Sequence, residues 1–236
     1  MQFKNNDMET QFDDLSKLLI SKGELKQQIF HTTLDTMQMF KEAAKEFEEE
    51  FNEKYGETHE KINVHFTQKS QYEFQLKFAG DVLIFLMHTN IFEFSRDHEV
   101  MRTSYIKEDK ERSYCGMIMI FNFLADSFKY TRVNDIGYLI GRILINKDLH
   151  YYIDGKRELS QVLNNFSTNE LTKESVKEIL YSAIQYTINF DLLVPEYTQV
   201  KELTVNDMMQ IEDQVMTIKT GKRLGFRFEP DRQAKE

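Results

Sequence analysis

The side chains best suited to chemistry gather between Asp81 and Glu99, where Asp81, His88, Glu93, Asp97, His98 and Glu99 bring imidazoles and carboxylates into one short stretch. A histidine can pass a proton near neutral pH, and a paired carboxylate can orient it or hold a cation. If residues 88–93 turn back as a hairpin, His88 and Glu93 flank the turn, and with His98 they form the candidate catalytic set. The spacing matches no metal-ligand motif, so no metal and no cofactor is assigned. Polar loops explain the same residues equally well.

Other chemistries leave fainter traces. Asp81 followed by Glu108-Asp109-Lys110 repeats the acid and acid-x-Lys order of nucleases that hold Mg²⁺ between strands, although the second element lies in a charged, loop-like stretch. Gly155-Lys156 and Gly221-Lys222 lack the earlier glycine of a phosphate-binding loop, and no GxGxxG occurs. Basic residues alternate with aromatics at Lys129-Tyr130-Thr131-Arg132 and from Arg223 to Phe228, a pattern that single-stranded nucleic acid would suit.

These groups need a frame, and the hydrophobic period supplies it. Met8, Phe12, Leu15 and Leu19 form one helical stripe, which Gly23 is expected to break or bend. A second seam runs through Phe30, Thr33, Met37, Phe40, Ala44, Phe47 and Phe51 in steps of three and four. Near Gly56 the period changes to two. Ile62, Val64 and Phe66, then Tyr72, Phe74, Leu76 and Phe78, alternate with polar residues and predict a hairpin looped at Gln68 to Ser70.

Val82 to Met87 is apolar without alternation, which predicts a central strand covered on both faces. Val100 to Ile106 and Tyr114 to Phe121 read as strands, the second also fitting a helical stripe through Ile118, Phe121, Ala125 and Phe128. Gly137 to Ile145 and His150 to Ile153 predict a closing hairpin around Asn146-Lys147-Asp148. Helices follow at Leu159 to Phe166, at Val176 to Ile188 behind a Thr172 cap, and after Thr204, with a last strand at Leu224 to Phe228. The predicted class is α+β: a long N-terminal helix or helix pair, an antiparallel sheet of about six to eight strands, and C-terminal helices.

The 236 residues divide into a helical segment over 1–58, a sheet with packed helices over 59–203 and a helix with a basic tail over 204–236, which together read as one domain. The net charge of −9 disfavours nucleic acid and anionic membranes. Eight Glu face three Lys over residues 41–60, whereas six Lys or Arg face three acids over 219–236. Cys115 is the single cysteine, which excludes an intrachain disulfide and suits a reducing cytoplasm. No signal peptide or membrane span is predicted.

The stretches Met87 to Phe94, Tyr114 to Arg132 and Asp135 to Glu158, with Gly137-Tyr138-Leu139-Ile140 and Gly155-Lys156-Arg157-Glu158, resemble a conserved, uncharacterised bacterial protein family. The resemblance implies a bacterial cytoplasmic setting and no activity. With no catalytic signature, the sequence favours a non-catalytic binding or protein-interaction module holding a small ligand in an apolar, aromatic-rich pocket. The interaction residues are Phe30, Met37, Phe40, Phe47 and Phe51, whose seam either covers the sheet or joins a partner, including a second copy. A hydrolase or nuclease using the acids and histidines from Asp81 to Glu99, and a nucleic-acid-associated protein, stand as alternatives.

Overall fold

Helix-favouring Glu, Lys, Gln and Met dominate the first 55 residues, and no proline interrupts them. In the computed structural model they form one helix, α1 (Gln2–Tyr55), about 81 Å long at 1.5 Å per residue. The structure describes residues 2–59, 62–155, 165–191, 194, 196–202 and 205, with side chains of α1 from Thr10 onward. The break expected at Gly23 does not occur. An interior glycine costs a helix about 1 kcal/mol, too little to stop a segment with strong formers on both sides.

Six strands follow: β1 (Val64–Gln68), β2 (Glu73–Phe78), β3 (Asp81–Glu93), β4 (Tyr114–Leu124), β5 (Tyr138–Asn146) and β6 (Tyr151–Gly155). They pair in chain order as one antiparallel meander. Short helices intervene at α2 (Ser104–Glu108) and α3 (Ala125–Lys129); α4 (Lys173–Ile188) and α5 (Tyr197–Val200) come after the sheet. The fold is α+β. The expected helix at Leu159, the helix after Thr204 and the strand at Leu224 lie largely or wholly outside the described residues.

Period-two alternation sends Phe74, Leu76, Phe78, Leu83, Phe85, Met87, Ile118, Ile120, Ile143 and Ile145 to one face of the sheet, where α1 and α4 cover them. The capping box at Thr172 and Ser175 starts α4, whose Val176, Ile179, Leu180, Ala183 and Ile184 complete that core. Lys177 ties α4 to Glu46 of α1 at 2.7 Å. Aromatic rings form a column through the middle: Phe40 to Phe85 at 5.4 Å, Phe85 stacked on Phe74 at 4.6 Å, and Phe74 to Phe66 at 5.5 Å.

Two contacts dock α1. Its Thr33 lies against Gly116 of β4, where an added Cβ would come within 1.9 Å of the Thr33 hydroxyl oxygen. Only glycine leaves room for so close an approach. At the far end the Asn52 amide pairs with the first residue of the edge strand, Nδ2 donating to the Val64 carbonyl at 2.8 Å and Oδ1 accepting from its N–H at 3.2 Å. The side chain thus supplies the backbone partner that an edge strand lacks.

Two local expectations change, and a third, open between strand and helix, is decided. Val100 to Ile106 is a 3₁₀ turn (Glu99–Arg102) and α2, because His98 and Thr103 side chains accept from the Val100 and Ile106 amides and so start helical turns. Residues 88–93 do not form a hairpin: β3 runs through, and a bulge between His88 and Phe92 takes up the extra residues opposite β4. Tyr114 to Phe121 is strand, and its helical stripe arises because β4 leads directly into α3.

Candidate functional site

The second face of the sheet carries the site. Val82 is buried there, but Ile84, Leu86, Met119 and Phe121 are only half-buried, so the cover expected on both faces of β3 is complete on one. Residues 94–113 fold back over the other end of this face. Phe94, Val100, Ile106, Cys115 and Phe166 form a small core beneath them, flanked by Tyr105, Leu144 and Tyr152.

Between the fold-back and the open sheet lies a cavity of about 260 Å³, lined by Phe92, Glu93, Phe94, Ser95, His98, Cys115, Met117, Arg142, Leu144 and Asp154. The floor is apolar. Register places its parts: Cys115 stands opposite Phe92, and Met117 opposite both His88 and Leu144. Polar groups ring the rim. Arg142 and Asp154, directly paired across β5 and β6, form an ion pair at 2.6 Å with both side chains about half exposed.

The sequence-derived set is partly united. Glu93 and His98 line the cavity, while His88 packs edge-on against Phe92 at 4.8 Å and its Nδ1 accepts from the Asn90 N–H at 3.0 Å. His98 is held by its own cap, Nδ1 accepting from the Val100 N–H at 3.3 Å, and by ring contacts with Phe94 at 4.7 Å and Tyr152 at 5.2 Å. Among the described residues no group of three potential metal ligands converges. Burial pushes the Cys115 thiol far up, so it stays protonated and serves as floor rather than nucleophile.

A polar clamp fixes the fold-back to the β5–β6 turn. Arg112 Nε donates to Asp148 at 2.9 Å, and Lys147 reaches Asp109 at 2.8 Å and Glu111 at 2.7 Å. The bond from Lys147 holds the Asp109 carboxyl below the usual carboxylate range. The Tyr105 hydroxyl donates to Asp148 at 3.1 Å and accepts from Asn146 at 2.9 Å, while its ring stacks on His150 at 4.7 Å. The Tyr152 hydroxyl donates to Glu99 at 3.1 Å.

Burial first, then the neighbouring carboxylates, pushes both phenols up to about 12. The folded state therefore holds these protons more tightly than the unfolded chain, whose tyrosines titrate near about 10. Their contribution to stability is full below about 10 and disappears as pH rises through about 12. With no tryptophan to obscure the phenolate band, a spectrophotometric titration is expected to show late tyrosines, the buried Tyr151 among them, and Tyr105→Phe and Tyr152→Phe should each remove one. Titration of every tyrosine near 10 without unfolding would contradict the clamp.

The other constellations disperse. Asp81 pairs with Leu124 at one end of β4, while Asp109 and Lys110 precede its other end, roughly 30 Å away at about 3.3 Å per residue. The nuclease arrangement is not formed, because the two elements sit at opposite ends of one strand. Lys129 lies over the Tyr130 ring at 4.9 Å and Arg132 pairs with Asp135 at 3.8 Å, so that basic stretch is used locally. The basic residues from Arg223 lie outside the described residues.

The interaction seam is in the chain's own core. Met37 and Phe40 are fully buried against the sheet, and Phe30, Phe47 and Phe51 pack half-buried around them. A partner could reach Met37 and Phe40 only if α1 left the sheet, whereas Phe30, Phe47 and Phe51 keep part of their surface accessible.

The sequence reading missed Cys115, Met117, Arg142, Leu144, Asp154 and Tyr152. Their signal was parity: alternate residues of neighbouring strands share a face. A further bulge between Ile120 and Phe121 shifts the pairing of β4 with β5 and hides which residues meet. Comparison with protein-family models, curated proteins and solved structures returned no match to the chain.

Proposed function

We propose that the protein is a non-catalytic binding module whose ligand is a small, largely apolar molecule with a polar or anionic end. The observation that carries this reading is the cavity on the second sheet face, an apolar floor open at one side and ringed by Arg142, Asp154, Glu93 and His98. Small-ligand sites combine such a floor with a few convergent polar groups. The half-buried Ile84, Leu86, Met119 and Phe121 continue the floor, so a ligand longer than the cavity has further apolar contact along β3 and β4. Arg142 has donors beyond those spent on Asp154 and orients the polar end. A reducing compartment, hence the cytoplasm, suits a lone buried thiol.

Anilinonaphthalene sulfonate, an apolar dye with an anionic end, is the probe. One dye is expected per chain with a strong rise in fluorescence. Ser95→Trp, which fills the cavity from an exposed rim position, should weaken binding at least tenfold without moving Tm; Arg142→Ala should weaken it less. No binding, or binding indifferent to Ser95→Trp, removes the cavity as the site.

A further inference from the structure

The first third of α1 carries an exposed apolar stripe. Phe12 is 70% exposed, Leu15 59%, Leu18 56% and Leu19 74%, whereas Leu25 and Ile29, about two to three turns further on, are buried. Phe12, Leu15 and Leu19 fall on a heptad seam that runs through Lys22 and the exposed Lys26 to Ile29, Thr33, Thr36, Phe40, Ala43 and Phe47, so the stripe lies broadly on the side of α1 that meets the sheet. Lys22 marks the rim of the body, its amine donating to the Tyr114 hydroxyl at 3.0 Å and lying over that ring. Beyond it α1 continues as an arm for about 33 Å over residues 2–23, with the side chains from Thr10 to Ser21 largely exposed.

We infer that a second copy of the chain covers this arm, the two arms pairing antiparallel. Three observations select that occupant and that direction. Among residues 10–23 the positions flanking the stripe are Gln11, Ser16, Leu18 and Gly23, none of them charged, so identical helices meet without like-charge contacts. The outer face carries Asp13 and Asp14 against Lys17, net acidic, which is unsuited to an anionic lipid surface. The stripe also points the same way as the sheet. A parallel partner would extend straight into the space the sheet fills, whereas an antiparallel one ends at the sheet rim with its own body at the opposite end.

Antiparallel packing sets stripe residues of opposite heptad class against each other, here Phe12 against Leu15 of the second copy and the reverse, which puts the two-fold axis between Asp13 and Asp14. An arm of about three heptads gives association on the order of micromolar rather than a permanent dimer. This surface is separate from the ligand cavity, and neither proposal depends on the other.

Sedimentation equilibrium of the full chain is expected to show a monomer–dimer equilibrium, weakened at least about a hundredfold by Leu15→Glu or Phe12→Glu. Because both side chains lie outside the core, Tm at monomeric concentrations should not move. A spin label on Ser21→Cys should report copies about 22 Å apart along the helix axis, against about 10 Å for a parallel pair. A chain monomeric to hundreds of micromolar, a dimer untouched by Leu15→Glu, or the shorter label distance each overturns the inference.

Discussion

Replacing Phe85 with alanine is expected to lower the unfolding free energy by about 3–5 kcal/mol, the range for deleting a buried aromatic. Phe85 is fully buried and joins Phe40 of α1 to Phe74 and Phe66 of the sheet, so its removal takes away the central aromatic contact between them. For a chain of this size Tm should fall by roughly 10 °C. Phe85→Leu refills most of the volume and should cost well under half as much. Chemical denaturation of both variants measures the effect. A loss below about 1 kcal/mol for Phe85→Ala would mean that α1 is not packed on β3 as described.

Gly116→Ala is expected to destabilise by about 1–3 kcal/mol, the usual cost of forcing one extra carbon into a filled core. The new methyl would meet the Thr33 hydroxyl at 1.9 Å and its Cβ at 2.8 Å. Thr33 has little freedom to retreat, since it is fully buried and its hydroxyl donates to the Ile29 carbonyl at 2.7 Å. Thr33→Ala removes the two atoms that clash with the methyl besides Cβ, so the double variant should recover part of the loss. The double-mutant cycle then reports a coupling between about 0.5 and 3 kcal/mol. Strict additivity would place the helix crossing elsewhere on β4.

Both effects turn on residues whose roles were unequally legible. Phe85 sits in an apolar run that announces a central strand, and Phe40 on a seam of clear period, so their burial follows from pattern alone. Gly116 gives no such signal. A glycine beside Cys115 in a strand reads as a weak point until a helix is seen to lie on it. The frame was legible because period is a local property: the change near Gly56, the turn at Asn146 to Asp148 and the cap at Thr172 stand where composition places them, and the hairpin expected at Gln68 to Ser70 turns slightly later, over Lys69 to Tyr72.

Where long-range pairing decides, pattern failed. The bulge after His88 replaced a turn because β4 offered a continuous partner, and the turns at Glu99 and Ser104 replaced a strand because two side chains captured backbone amides. The candidate site lies where such events accumulate. Glu93 and His98 could be singled out by residue type, but Arg142 and Asp154 join them only through pairings between strands that no single stretch encodes.

The sequential strand order has a consequence for synthesis. Each strand of the meander finds its neighbour within a few tens of residues, so the sheet assembles from local hairpins and needs no distant search. Helix α1 is the opposite case. It leaves the ribosome before the sheet, and Phe40 waits for Phe85, 45 residues later by their numbering, which takes about 2–9 s at 5–20 residues per second. During that interval the apolar face from Ile29 to Phe47 has no sheet to pack on, until β3 and β4 arrive to cover it.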